Sequence, residues 1–402
     1  MKKIALLLII VIIVLGCTFM HFGGLNTGKS LDKEEFIKYA QEIKNIKIGE
    51  KVKIVALGEA THGNKEFQEL KLDVFKLMIE KYNIKTFAIE GDYGGCEKVN
   101  QYIKYGNGTV EDVVNSIGFK IYNTDQMNEL ITYMREYNKN VEEKDKLSFY
   151  GFDMQRYMHS FNFLKEECKK LNINTKEFEN IIVNEKWNKN YDYNNKIKVI
   201  NEIKEELKLK KATEKTIHFA DMLLQYLELK NNKNTDASFL RDKFMAENVK
   251  WILTQEDKIF ITAHNNHVAK YSSMETMGNL LNKEFKDEYY VIGTDFYKTR
   301  VNLPKTNGKR TLQTFYSHDI LAKTAKLANL DRCWLDFSTI DKNTNLYTTI
   351  KNYNYMGGIG ERYSIIMRIL PPSYRVFQIP STLYDSMIFI TEASPTKILT
   401  KK

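Results

Sequence analysis

Short apolar runs, each followed by a charged or imidazole side chain, dominate the hydrophobic pattern of this chain. Five runs of five or six residues lack helical periodicity, which is typical of strands buried on both faces of a sheet. We predict strands at 52–57, 85–89, 147–152, 258–263 and 289–294. Because helical patterns separate them, the connections are expected to be right-handed crossovers. The predicted fold class is therefore α/β, with a mainly parallel central sheet flanked by helices.

The helical patterns place these strands within one large domain, predicted to span residues 31–402. A helix is predicted from Leu31 to Ile48 with Asp32 at its N-cap, and a second begins after Asn64. From about residue 159 to 256 the pattern is helical and highly charged, which indicates a helical insertion. All five prolines lie in the last hundred residues, which are expected to complete a sheet edge and a substrate lip.

The amino terminus has the pattern of a targeting segment. Two lysines precede an apolar run, Ile4 to Leu15, of signal-peptide length. The run ends in Leu-Gly-Cys17, which is similar to a bacterial lipobox, where the cysteine is lipidated. We predict that residues 1–17 are a signal peptide or lipoprotein-like anchor, with an uncleaved anchor as the alternative. Either one tethers the body to the extracytoplasmic face of a membrane.

Net charge and cysteine spacing bear on nucleic-acid binding and on disulfide bonds. The net charge of +9 comes from 60 basic and 51 acidic residues, and its lysines are scattered rather than arranged in a basic stripe. Nucleic-acid binding is therefore not expected. Cys96, Cys168 and Cys333 lack paired spacing, so we predict buried free thiols.

Titratable side chains follow each predicted strand. Because the carboxyl ends of parallel strands meet at one edge of a sheet, we expect these side chains to share a crevice there. They are Glu59, His62, Glu90, Asp153, His264, His267 and Asp295.

These side chains suit the activation of water. The chain has no G-x-S-x-G motif and no cysteine beside a candidate histidine, so a covalent nucleophile is not indicated. A histidine held by a carboxylate can accept a proton from water near neutral pH, and a second imidazole can polarise a carbonyl, hold an oxyanion or protonate a leaving alcohol. A metal ion held by the same side chains is an alternative.

Lys71 falls within the apolar stripe of the helix that follows His62. A lysine that faces a sheet is costly unless its ammonium reaches a carboxylate. Glu59 and Glu90 are the candidate partners, and the alternative is that Lys71 extends to water.

Three motifs in order resemble the erythromycin esterase family. They are Gly58-Glu59-Ala60-Thr61-His62-Gly63, Ala88-Ile89-Glu90-Gly91 and Ala263-His264-Asn265-Asn266-His267-Val268. The resemblance implies an α/β core with helical additions, and hydrolysis of esters (macrolide lactones in the named members) by water that a histidine activates. It implies that His62 is the general base and Glu59 its neighbour, with Glu90, His264 and His267 completing the pocket. The family tends to have arginine where this chain has Lys71.

We therefore predict a membrane-tethered hydrolase of carboxylic esters. Its expected partner is a small-molecule ester or lactone, and a macrolide substrate would imply a role in antibiotic resistance. The expected catalytic residues are His62, Glu59, Glu90, His264 and His267, and those expected to bind substrate are Lys71, Asp153 and Asp295. No cofactor is expected. The alternatives are a metal-dependent hydrolase that uses the same cluster, for which a divalent metal is required, and a non-catalytic surface lipoprotein that binds a ligand.

Overall fold

The computed structural model describes residues 2–21, 30–232 and 237–399. The fold is mixed α/β, with a large, mostly parallel central sheet flanked by helices, and the predicted fold class is confirmed. The chain divides into two compact units. Unit 1 comprises Met1–Ile84, Thr124–Leu130 and Phe260–Lys402, and unit 2 comprises Lys85–Asn123 and Ile131–Ile259.

The elements alternate between strands and helices through much of the chain. The helices are α1 (Lys2–His21), α2 (Lys33–Tyr39), α3 (Lys65–Tyr82), α4 (Tyr93–Tyr105), α5 (Val110–Ser116), α6 (Asp125–Lys139), α7 (Met158–Lys170), α8 (Lys176–Asn180), α9 (Tyr193–Leu209), α10 (Glu214–Asn231), α11 (Ala237–Gln255), α12 (Asn265–Val268), α13 (Met277–Phe285), α14 (Ile320–Leu327), α15 (Asn345–Ile350), α16 (Ile366–Ile369) and α17 (Pro380–Leu383). The strands are β1 (Ala40–Gln41), β2 (Ile54–Glu59), β3 (Thr86–Asp92), β4 (Ser148–Asp153), β5 (Ile182–Val183), β6 (Lys186–Trp187), β7 (Ile259–His264), β8 (Tyr289–Pro304), β9 (Arg310–Tyr316), β10 (Arg332–Asp336), β11 (Asn354–Gly357), β12 (Arg375–Gln378) and β13 (Ser386–Ala393).

In unit 1 the strands follow the order β1-β10-β13-β8-β2-β7, and β9 pairs with β8. Strands β2 and β13 both run parallel to β8, with Ile54 opposite Tyr289 and Ser386 opposite Ile292. Every residue of β2 is buried, as expected for a strand covered on both faces. The last hundred residues complete this part of the sheet, because they supply β10 and β13.

All five predicted strands continue past their predicted ends, and β3, β4 and β7 include Glu90, Asp153 and His264. Strand β2 includes Glu59 as its last residue, so this carboxylate belongs to the strand rather than to the loop. Strand β8 continues to Pro304, so the prediction that it ends at Asp295 is wrong. The reason is that β9 pairs with β8 from Lys298 to Pro304, which supplies backbone hydrogen bonds beyond the predicted end.

The helix after the His62 loop begins where predicted, but Asn64 does not cap it with its side chain. The Asn64 amide instead donates to the carbonyl oxygens of Arg300, at 2.9 Å, and Ser394, at 2.8 Å. The hydroxyl of Thr299 donates to Asn64 Oδ1 at 2.9 Å. Asn64 therefore ties the end of the His62 loop to β8 and to the segment after β13.

The first predicted helix is shorter than expected. Asp32 caps it as predicted, by accepting the backbone N–H of Glu35 at 2.8 Å. The helix ends at Tyr39 because Ala40 and Gln41 pair as a short strand with β10. Sheet pairing thus replaces the helical hydrogen bonds from this point.

Unit 2 contains a parallel pair of strands and most of the predicted helical insertion. Strands β3 and β4 pair with Thr86 opposite Ser148. Residues 159–256 form most of α7 together with α8 to α11, and they also include the two-residue strands β5 and β6, which the sequence pattern did not show.

The amino-terminal run forms α1, whose side chains from Ile4 to Leu15 are largely exposed. Within the described part of the chain, no helix combines the length and apolarity needed to span a membrane. The four cysteines are free, and Cys96, Cys168 and Cys333 are buried, which confirms the prediction for these three thiols.

Candidate active site

A buried imidazole–carboxylate pair forms the centre of the candidate site in unit 1. His62 Nδ1 lies 2.9 Å from Glu59 Oε2, and the two residues are 6% and 2% exposed. The strand ends at Glu59, and the tight turn after it carries His62 back onto the carboxylate. Because an ionised carboxylate only accepts hydrogen bonds, the proton of a neutral His62 lies on Nδ1. Nε2 is then the basic nitrogen.

Two side chains of α3 hold the Glu59 carboxylate. Lys71 Nζ lies 3.3 Å from Oε2 and donates to Gln68 Oε1 at 2.7 Å, while Gln68 Nε2 donates to Glu59 Oε1 at 2.9 Å. Lys71 is 2% exposed, so its ammonium reaches a carboxylate rather than water. Burial alone would raise the pKa of Glu59, but the positive charge of Lys71 and the hydrogen bonds from His62 and Lys71 outweigh burial and hold this pKa below its ordinary value.

His264, the last residue of β7, lies beside His62. The two ring centroids are 5.1 Å apart, so the structure brings these two predicted imidazoles together. The backbone N–H of Asn266 donates to His264 Nδ1 at 3.4 Å, and Nε2 lies 3.3 Å from the carbonyl oxygen of Ile359. These contacts fit a neutral His264 with its proton on Nε2.

The segment Gly357–Ile359, called the 357–359 segment below, completes this cluster. The backbone N–H of Ile359 donates to the carbonyl of Ala60 at 3.0 Å, and Thr61 and Ile359 form a parallel bridge. The sequence indicated a substrate lip in this region but not its contact with His264. The sequence signal for a close contact was the pair Gly357-Gly358, since glycine allows a close approach of the backbone. The structure shows such an approach at Gly357, where a side chain would lie 2.6 Å from the ring of Phe296.

The remaining predicted residues of unit 1 lie in different surroundings. His267 lies in α12 with a half-buried side chain, and its catalytic role stays a prediction. Asp295 is fully buried inside β8, with both carboxylate oxygens 3.0 Å from the backbone nitrogen of Gly357. Lys71 and Asp295 are both enclosed by protein groups, and their predicted contact with substrate stays a prediction.

Within unit 2, Glu90 and Asp153 are joined by Arg241 of α11. Arg241 Nη2 lies 2.6 Å from Glu90 Oε1 and 2.7 Å from Asp153 Oδ2, and its Nε lies 3.3 Å from the Asp153 oxygens. Burial would lower the pKa of Arg241, but the two carboxylates raise it above its ordinary value. The structure thus brings together two predicted site residues and a third that sequence reasoning missed.

A signal for Arg241 existed in the sequence. Two carboxylates at the ends of buried strands require a compensating cation, and an arginine can bind both through its planar group. The hydrophobic pattern by itself predicts that Arg241 lies at the start of an amphipathic helix, and it does not indicate which carboxylates this arginine meets.

Replacing Arg241 with methionine is expected to lower the free energy of unfolding by about 3–5 kcal/mol, because two buried carboxylates lose their cation. Urea denaturation measures the change. The matched control is Arg332→Met, since Arg332 pairs with Glu69 and is 35% exposed. Its loss should cost less than about 1 kcal/mol. Equal effects of the two substitutions would contradict the account of Arg241.

Metal-binding chemistry was one of the sequence-based alternatives. Among the residues that the structure describes, no group of three or more histidine, cysteine, aspartate or glutamate side chains is placed to hold a metal ion. A test of the metal-dependent alternative therefore requires measuring activity with and without a chelator.

Fold and site together define an α/β protein with a buried imidazole held by a carboxylate. The sequence profile of the family described as erythromycin esterase matches residues 79–393. The chain belongs to the erythromycin esterase family. The matched range includes Glu90, Asp153, Arg241 and His264, and it begins after Glu59 and His62.

Individual relatives agree with this assignment. The chain is 25% identical over 294 residues to the putative hydrolase YbfO of Bacillus subtilis (strain 168), which covers 61% of this chain and 65% of that protein. It is 26% identical over 301 residues to erythromycin esterase type II of Escherichia coli, which covers 61% of this chain and 69% of that protein.

The fold is also similar to a solved structure. A mutant of erythromycin esterase EreC in its open conformation superposes with a TM-score of 0.61 at 15% identity, over 88% of this chain and 93% of that one.

Proposed function

We propose that this protein is a hydrolase that cleaves a carboxylic ester or lactone by direct attack of water. Membership of the erythromycin esterase family and the similarity to a putative hydrolase support hydrolysis. The observation that carries the proposal is the buried contact of 2.9 Å between His62 Nδ1 and Glu59 Oε2. This contact fixes the tautomer that makes Nε2 of His62 a base.

In the proposed reaction, His62 Nε2 takes a proton from a water molecule whose oxygen attacks the ester carbonyl carbon. The resulting imidazolium is stabilised by the Glu59 carboxylate. When the tetrahedral intermediate collapses, the bond from carbon to the alcohol oxygen breaks and the leaving alcohol takes the proton from Nε2. The products are a carboxylic acid and an alcohol, and His62 returns to its starting state.

The neighbouring side chains have distinct parts in this scheme. Lys71 and Gln68 keep the Glu59 carboxylate ionised and fixed in orientation. His264 carries its proton on Nε2 beside His62, so this N–H suits stabilisation of the oxyanion when substrate replaces the Ile359 carbonyl as its acceptor.

The proposal is tested with the purified full chain and a panel of small-molecule esters and lactones that includes macrolides. Steady turnover of at least one compound, without an initial burst of alcohol, is expected for direct attack by water. Intact-protein mass spectrometry after rapid acid quench should show no acyl adduct. Tight binding of a panel compound without turnover would overturn the proposal in favour of a ligand-binding protein.

A chelator separates direct activation of water from a metal-dependent reaction. Under our proposal, activity on the best ester survives dialysis against EDTA. Loss of activity that added Zn²⁺ restores would instead support a metal held by the same side chains.

We also propose that the protein acts outside the cytoplasm, tethered to a membrane. The support is the amino-terminal pattern of two lysines, the apolar run from Ile4 to Leu15, and Cys17.

A further inference from the structure

We propose that Asp295 and Asp319 form a carboxyl pair that shares one proton and positions the active site, by holding the 357–359 segment against the His62 loop and thereby orienting His264. This inference rests on the proposed function. It assigns Asp295 and Asp319 to positioning rather than to contact with substrate.

Asp295 anchors one end of the 357–359 segment. Its carboxylate oxygens both lie 3.0 Å from the backbone nitrogen of Gly357, and Oδ1 also accepts the N–H of Phe296 at 2.7 Å. A side chain on Gly357 would lie 2.7 Å from Asp295 Oδ1, so glycine permits the close approach.

The other end of the segment lies on the imidazole cluster. The N–H of Ile359 donates to the Ala60 carbonyl at 3.0 Å, and the Ile359 carbonyl lies 3.3 Å from His264 Nε2. Ala60 N–H in turn donates to Thr294 Oγ1 at 2.9 Å. Adjacent residues of β8, Thr294 and Asp295, therefore fix both the His62 loop and the segment that contacts His264.

Asp319, just before α14, is the partner of Asp295. Both side chains are fully buried, and Asp319 Oδ1 accepts the N–H of Leu321 at 2.7 Å. Asp319 Oδ2 is buried, and within the described part of the chain no N–H or hydroxyl donates to it. A proton carried by the neighbouring Asp295 carboxyl would supply that donor.

The charge environment favours one shared proton. Burial and the neighbouring Asp319 carboxylate raise the pKa of Asp295 well above its ordinary value. Burial also raises the pKa of Asp319, to about 6, although its hydrogen bond with Asp295 opposes this rise. Two buried carboxylates in contact cannot both ionise without strong repulsion, so the proton remains with the pair at neutral pH.

Other elements contribute charged or titratable groups near this pair. They are Arg375 of β12, Tyr384 after α17 and His318 before Asp319. Strand β13 places the uncharged side chain of Phe389 opposite Asp295. The Arg375 guanidinium donates to the Tyr316 carbonyl at 3.0 Å and to the Tyr374 hydroxyl at 2.8 Å. Its positive charge lies close enough to act on Asp295, but it does not replace the shared proton.

The substitutions Asp295→Asn and Asp295→Ala separate the role of the hydrogen bonds of this side chain from the role of the shared proton. The amide of Asp295→Asn can accept the Gly357 N–H and donate to Asp319, as a protonated carboxyl does. Asp295→Ala removes both hydrogen bonds. Asp319→Asn is a second way to disturb the pair if Asp295→Ala does not fold.

The experiment follows the full-length protein by NMR of ¹⁵N-labelled histidine and by ester kinetics. In Asp295→Ala we expect loss of the Nε2-protonated signal of His264, and a fall in kcat of about 10²-fold with little change in KM, the scale of a 1 Å misplacement. Asp295→Asn should retain the signal and remove the dependence of kcat on ionisation of the pair. The matched control is Asp336→Ala, a buried aspartate of β10 that bonds Ser338, which should lower stability and leave His264 unchanged.

A folded Asp295→Ala protein with an unchanged His264 signal would overturn the inference. An Asp319→Asn protein that keeps the wild-type pH profile of kcat would overturn it as well. The NMR measurement needs no substrate, so failure of this inference is distinguishable from failure of the proposed function. If only the proposed function fails, the wild-type protein turns over no ester, but the His264 signal still responds to Asp295→Ala.

Discussion

His62→Asn is expected to lower kcat for ester hydrolysis by about 10²–10⁴-fold, because general-base catalysis by an imidazole contributes on this scale. The asparagine amide can still bond Glu59, so the fold around the pair should survive. The amide has no basic nitrogen, however, and cannot take the proton from water.

Initial rates on the best ester of the panel, together with urea denaturation of each variant, measure this effect. The matched control is His159→Asn in α7, outside the imidazole–carboxylate cluster, which should keep the wild-type kcat. A His62→Asn protein with unchanged kcat would show that water is activated by another group.

The second large effect concerns the buried pair of Glu59 and Lys71. Either Glu59→Gln or Lys71→Met should lower the free energy of unfolding by about 3–5 kcal/mol, because each leaves one charge buried without its partner. The double variant removes both charges and should therefore recover much of that loss. Urea denaturation of the four proteins completes the cycle. Additive losses in the double variant would contradict a direct interaction between the two charges.

Acidification offers a check on the same pair. The folded pKa of Glu59 lies below its ordinary value, so its contribution to stability is present at neutral pH and is lost as the pH falls through that folded value. Lys71→Met removes a cause of the lowered pKa, and its stability should therefore depend less on pH in the acid range. A wild-type dependence no steeper than that of Lys71→Met would contradict this assignment.

The strands were predictable because their signal is local. Each predicted strand is a short apolar run, and the burial of every residue of β2 reflects that composition directly. The meeting of His62 and His264 follows from the same reasoning, since both residues come at the carboxyl ends of strands β2 and β7, which are neighbours in the sheet.

Contacts between distant parts of the chain were less accessible to this reasoning. Arg241 is 88 residues from Asp153 and 151 from Glu90, and the periodicity of α11 does not specify which carboxylates it meets. Asp295 is a second case of this kind. The apolar run predicted where β8 starts, but not that Asp295 lies inside the strand. Its continuation depends on hydrogen bonds that β9 supplies. The final partners of a buried charge are decided by tertiary pairing.

The contact between His264 and Ile359 spans 95 residues. A shortened protein ending before residue 357 would therefore keep all five side chains expected to be catalytic and still lack the carbonyl that orients one of them. The removed residues also include β13, an interior strand of the sheet. Inactive fragments obtained by trimming the carboxyl end would therefore reflect the loss of this strand and of the Ile359 carbonyl, and would not place a catalytic side chain in the removed part.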